Sequence, residues 1–73
     1  MNIVNKRKGL LAMYGIKNVD IARKIGRSHI TVSVVLTGKR TSRLIQETIV
    51  RELNKRGAKV RYEELWPNNK RAA

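Results

Sequence analysis

The side chains best suited to chemistry in this sequence lie between Asn18 and Arg43, and that chemistry is non-covalent recognition of a polyanion. Arg27, Lys39, Arg40 and Arg43 carry fixed positive charge, and Ser28 and Thr41 carry hydroxyls, all groups that hold phosphate oxygens. Asn18, His29, Ser33 and Thr37 add side chains that donate or accept hydrogen bonds. Covalent catalysis is poorly served. The single histidine has no useful cluster of carboxylates around it, there is no cysteine, and no nucleophile–base pair can be assembled. The expectation is no enzyme, no metal and no cofactor.

These side chains need a scaffold, and Asn18–Arg40, NVDIARKIGRSHITVSVVLTGKR, reads as two short helices joined by a tight turn. Asn18 can cap a helix whose apolar positions are Ile21, Ala22 and Ile25. Gly26 falls where that helix must stop, a place for positive φ. Ser28 can cap a second helix with Val32, Val35 and Leu36 on one side. Ala22 is small enough to let the helices cross closely. This is the grammar of a helix-turn-helix, whose second helix enters the DNA major groove. Counted from Asn18, the motif asks for apolar, small and apolar residues at the fourth, fifth and eighth positions, then glycine, then apolar residues at the fifteenth and eighteenth. Ile21, Ala22, Ile25, Gly26, Val32 and Val35 satisfy all six. Arg27 departs from a position that is often apolar; its stem can still cover apolar surface.

The segment resembles the phage lambda repressor-like helix-turn-helix superfamily, which includes the Cro/repressor and Ner-like regulators. Gly15-Ile16 before the motif, LTGKR at Leu36–Arg40 and YEELWP at Tyr62–Pro67 are similar to stretches of its small prophage-type members. The resemblance spans roughly Leu10 to Pro67. It implies a phage or prophage-type transcriptional regulator, more often a repressor, in the cytoplasm of a bacterium. It also implies that His29, Ile30 and Val34 face the bases.

Composition agrees with a nucleic-acid partner. Seventeen Lys and Arg against five Asp and Glu leave +12 on 73 residues, the footprint of a polyanion binder. Charge alone does not separate DNA from RNA or an anionic membrane; the motif spacing points to duplex DNA. No apolar run approaches the roughly 20 residues of a membrane span, and the N-terminus lacks the apolar core of a signal peptide. The expected architecture is all-α, a small bundle of about five short helices with a central helix-turn-helix. Positions 1–67 form that domain and 68–73 a disordered basic tail.

Around the motif, the spacing predicts a first helix from about Asn2 to Tyr14, with Ile3, Leu10 and Tyr14 on one face and Val4 and Leu11 beside them. Lys6, Arg7 and Lys8 read as a solvated face or loose arm, with contact to phosphate as the alternative, Gly9 as a weak point, Gly15 as a stop and Ile16 as a core residue. Ile30–Leu36 is rich in β-branched residues and locally favours a strand; the intact motif spacing overrules this. Thr41 or Ser42 caps a fourth helix to about Arg56, closing the core with Leu44, Ile45, Ile49 and Leu53. Glu47–Arg51 and Glu52–Arg56 are expected as i,i+4 pairs. Arg23 and Lys24 read as solvated charges. Gly57 stops the fourth helix and Val60 packs back. Tyr62–Trp66 makes one helical turn, ended by Pro67, that covers the open end of the core.

From the motif, base edges are met by His29, Ile30, Ser33, Val34 and Thr37, with Ile30 and Val34 against thymine methyl groups. Phosphates are met by Asn18, Arg27, Ser28, Lys39, Arg40, Thr41 and Arg43. The function expected is sequence-specific duplex-DNA binding that regulates transcription, with two copies pairing on DNA through the Tyr62–Trp66 turn or the end of the fourth helix. A DNA-binding antitoxin or accessory subunit would use the same motif, and an RNA-binding basic protein is a third class.

Overall fold

The computed structural model describes residues 3–67. Among them are five helices and no strand: α1 Ile3–Met13, α2 Asn18–Ile25, α3 His29–Leu36, α4 Arg43–Lys55 and α5 Tyr62–Leu65. The expected start at Asn2 and the basic tail at 68–73 lie outside the described residues.

Helix starts follow local chemistry. Ser28 Oγ accepts the Ile30 N–H at 3.0 Å and so caps α3. That cap and three buried apolar residues, Val32, Val35 and Leu36, hold the β-branched stretch helical against its local preference. Ser42, rather than Thr41, caps α4, its hydroxyl accepting from Ile45 at 3.4 Å. α2 corrects the reading of Asn18. The cap position is Lys17, whose N–H donates to Asp20 Oδ2 at 3.0 Å; Asn18 is the first helical residue. The Asp20 carboxylate also complements the positive end of the helix.

Gly26 ends α2 at φ 68°, ψ 34°, and the following Arg27 N–H bonds back to the Ala22 carbonyl at 2.9 Å. This left-handed turn sets the angle between α2 and α3, which share the most extensive helix–helix contact in the fold. A Cβ at Gly26 would meet no atom within 4 Å, so the cost of a side chain is backbone strain alone. Gly26→Val is expected to lower the thermal midpoint, at a cost of about 2 kcal/mol, and Gly26→Asn to retain most of the stability. Circular dichroism melting checks both; an unchanged midpoint in the valine variant would remove the turn from its assigned place.

α4 lies against both motif helices, α1 packs on α3, and α5 bridges α1 and α4. The core is Leu11, Ile16, Ile21, Ala22, Val32, Val35, Leu36, Ile45, Ile49, Leu53, Leu65 and Trp66. Leu65 and Trp66 close its open end, as expected. Within the same turn Tyr62 is half-buried, and Glu63 and Glu64 are exposed. Asn54 holds the returning chain from both sides, with Nδ2 to the Val60 carbonyl at 2.9 Å and Oδ1 accepting the Val60 N–H at 2.7 Å.

Other expectations about faces and pairs are altered by the orientation of the helices and by competing partners, some local and some distant. On α1, Leu10 and Tyr14 pack half-buried against the core and Leu11 lies within it, as the spacing predicts, but Arg7 is buried rather than solvated. Leu44 is 49% exposed, because the inner face of α4 turns on Ile45, Ile49 and Leu53. Glu47 pairs with Arg43 at 2.8 Å rather than with Arg51. Glu52 is buried and takes Lys24 at 3.4 Å and Lys55 at 3.7 Å. Lys24 is therefore tied across to α4 rather than simply solvated, and Arg56 donates to the Tyr14 carbonyl at 3.1 Å.

Candidate nucleic-acid interface

Helical periodicity divides α3 cleanly. Val32, Val35 and Leu36 face the core, and the remaining positions form an outward stripe. Along that stripe His29 is exposed and Ile30 is 63% exposed, whereas Thr31, Ser33, Val34 and Thr37 are half-buried. The five expected base readers thus share one face of one rigid element. Thr37 is partly committed: its hydroxyl donates to the Val34 carbonyl at 3.1 Å and keeps acceptor capacity.

Two shallow depressions flank the stripe. One is lined by Ile30, Thr31 and Val34 with Lys39 and Arg40. Gly38, at φ 86°, turns the chain after α3, and the N–H groups of Lys39 and Arg40 bond back to the Val34 carbonyl at 3.0 and 3.3 Å. That turn brings both cations beside the exposed face. The other depression lies between α1, the start of α2 and α3, and includes Lys8, Lys17, Asn18 and Ser33. Asn18 stands at the α2 N-terminus, where backbone N–H groups favour an anion.

The expected phosphate contacts therefore fall into groups. Lys39, Arg40 and Thr41 lie exposed after α3, Arg27 and Ser28 lie exposed at the turn before it, and Asn18 sits on the opposite flank. Arg43 does not join them as a free donor. Its Nε is held by Glu47 at 2.8 Å and its guanidinium lies 4.4 Å from the Tyr62 ring centroid. The hydrogen bond to Glu47 is also the main cause that raises its pKa above the usual value.

Lys17 and Thr31 were missed as members of this surface. A cap placed at Asn18 leaves Lys17 outside the helix, and the β-branched run of Ile30–Leu36 gives Thr31 no signal of its own. Projecting α3 as a helix would have placed Thr31 beside Ile30 and Val34.

The surface carries one sign of charge. Positions 21–46 contain Arg23, Lys24, Arg27, Lys39, Arg40 and Arg43 and no acidic residue. The acids lie elsewhere, and four of them have local work: Asp20 and Glu64 accept from helix-start N–H groups, Glu47 from Arg43, and Glu52 pairs with lysines. Among the described residues no group of three His, Asp or Glu side chains could hold a metal ion, and no helix is long and apolar enough to cross a membrane. No family model matches the chain, and no curated protein or solved structure matches it either.

Proposed function

We propose that this protein binds duplex DNA in a sequence-specific manner and regulates transcription, as a repressor of the prophage type that its motif resembles. The observation that carries the reading is the exposed α3 stripe, with Ile30 63% exposed on a helix whose opposite side is fully buried. An isolated apolar side chain on a charged surface is unremarkable. Ile30 and Val34 lie between cations on two flanks, which suits contact with thymine methyls while lysines and arginines hold the phosphates. α3 enters the major groove, Lys39 and Arg40 hold one backbone, and Lys8, Lys17 and Asn18 hold the other. Two copies pair on an inverted repeat, so that both meet the same side of the duplex.

Readers and positioners respond differently to substitution. Val34→Ala and His29→Ala are expected to change the preferred sequence, with about 1–3 kcal/mol at stake for each good base contact. Lys39→Ala is expected to weaken all duplexes about equally. Selection of bound fragments from a genomic DNA library, run on each variant, reads both effects. An unchanged preferred sequence in both reader variants would end the assignment of α3 as recognition helix.

A further inference from the structure

Arg7 is a cation inside the fold. It is 6% exposed, and its Nε and Nη1 donate to the carbonyls of Leu65 and Leu36, each at 2.7 Å. Its guanidinium carbon lies 4.8 Å from the Trp66 ring centroid. Carbonyls and an aromatic face soften a buried charge without neutralising it, and burial lowers the pKa of the group. No carboxylate lies within ion-pair distance of Arg7 among the described residues. Buried charges in folded proteins are ordinarily paired.

Beside this cation is a cavity of about 180 Å³ between α1, the turn after α3, α4 and Trp66. Arg7, Arg40, Thr41, Gln46 and Trp66 line it, and none of its lining residues is acidic. Trp66 completes the wall of the cavity. Trp66 is 3% exposed, and its indole Nε1–H is buried with no hydrogen-bond partner among the described residues. That N–H is closed off from solvent, so it lies behind the cavity wall rather than facing into the cavity. An unneutralised guanidinium, a second arginine and the Thr41 hydroxyl together make a donor-rich, acid-free pocket, with Arg40 and Thr41 exposed at its rim.

We propose that this cavity binds a tetrahedral oxyanion of the phosphate class, held by Arg7 and Arg40 beside the Trp66 ring. The oxyanion is either free inorganic phosphate or one backbone phosphate of a bound duplex. The inference does not rest on base reading by α3, because free phosphate tests it without DNA.

Trp66 is the only tryptophan in the chain, so its indole N–H gives a single nitrogen–proton cross-peak that reports on the cavity. Inorganic phosphate is titrated into the labelled protein at constant ionic strength, with sodium chloride as the exchanged salt. The expected result is a saturable shift of that cross-peak, with affinity at least about threefold weaker in Arg40→Gln, whose side chain lies at the exposed rim. A parallel titration uses duplex DNA with single neutral methylphosphonate linkages. A shift caused by duplex and lost at one neutral linkage supports the proposal with the backbone as source; a shift with inorganic phosphate supports it with the free ion as source. If neither moves the Trp66 cross-peak beyond the effect of chloride, the proposal falls. It falls equally if Arg40→Gln binds phosphate as tightly as the parent protein.

Discussion

Replacing Arg7 by methionine is expected to cost about 3 kcal/mol of folding stability, more than any other single change in the basic run at positions 6–8. The substitution keeps an unbranched apolar stem and removes the charge and its donors. The carbonyls of Leu36 and Leu65, each bonded at 2.7 Å, lose their partner. A buried acceptor left unsatisfied costs about 1–3 kcal/mol. Loss of the contact with the Trp66 face adds about 1 kcal/mol. Relief from burying a cation offsets part of the sum. Those two carbonyls close α3 and α5, so one side chain of α1 ties three helices together. Arg7→Lys keeps a charge but lacks the planar fork that spans two acceptors, and is expected to lose about half as much. Lys6→Ala and Lys8→Ala should stay within about 0.5 kcal/mol. Denaturant midpoints at constant slope measure all four. An Arg7→Met midpoint grouped with the two lysine variants would show that the buried guanidinium contributes nothing to the fold. For a domain of this size, a loss of about 3 kcal/mol is a large part of the total.

Arg7 also marks the limit of what the amino-acid order discloses. Patterning treats a charged residue in KRK as outward-facing, since a buried cation is costly without partners. Its partners are 29 and 58 positions away, where no local rule reaches. With Arg7 facing inward, the inner face of α1 centres on Arg7 and Leu11, with Leu10 and Tyr14 packed half-buried against the core beside them. The same blindness affected Glu52, whose i,i+4 partner Arg56 was a fair local choice but lost to Lys24 from another helix. The helix-turn-helix was legible because its determinants are local. Ile21, Ala22, Val32 and Val35 sit at helical spacing, Ser28 makes its own cap, and Gly26 takes the left-handed conformation its position requires. Asn18 and Lys17 show how fine that legibility is. Both precede the same helix, and the cap shifted by one residue because Asp20 reaches back to the Lys17 N–H.

The division of cations into free and engaged sets has a measurable consequence for DNA binding. Lys8, Lys17, Arg27, Lys39 and Arg40 are exposed around α3. Arg7 is buried, Lys24 is drawn to Glu52, and Arg43 is held by Glu47. If the five exposed cations each neutralise one phosphate, the slope of log K against log salt is about −4.5, from about −0.9 per contact. Raising salt fourfold, from about 50 to about 200 mM, then weakens duplex binding by about 500-fold. Anisotropy of a labelled duplex across that range gives the slope directly. Lys39→Ala and Lys17→Ala should each make it shallower by about one, whereas Arg43→Ala should leave it nearly unchanged because its charge is already answered within α4. A flat salt dependence would contradict phosphate contact altogether. Loss of a full unit in Arg43→Ala would mean that DNA displaces Glu47, and that the first turn of α4 belongs to the interface.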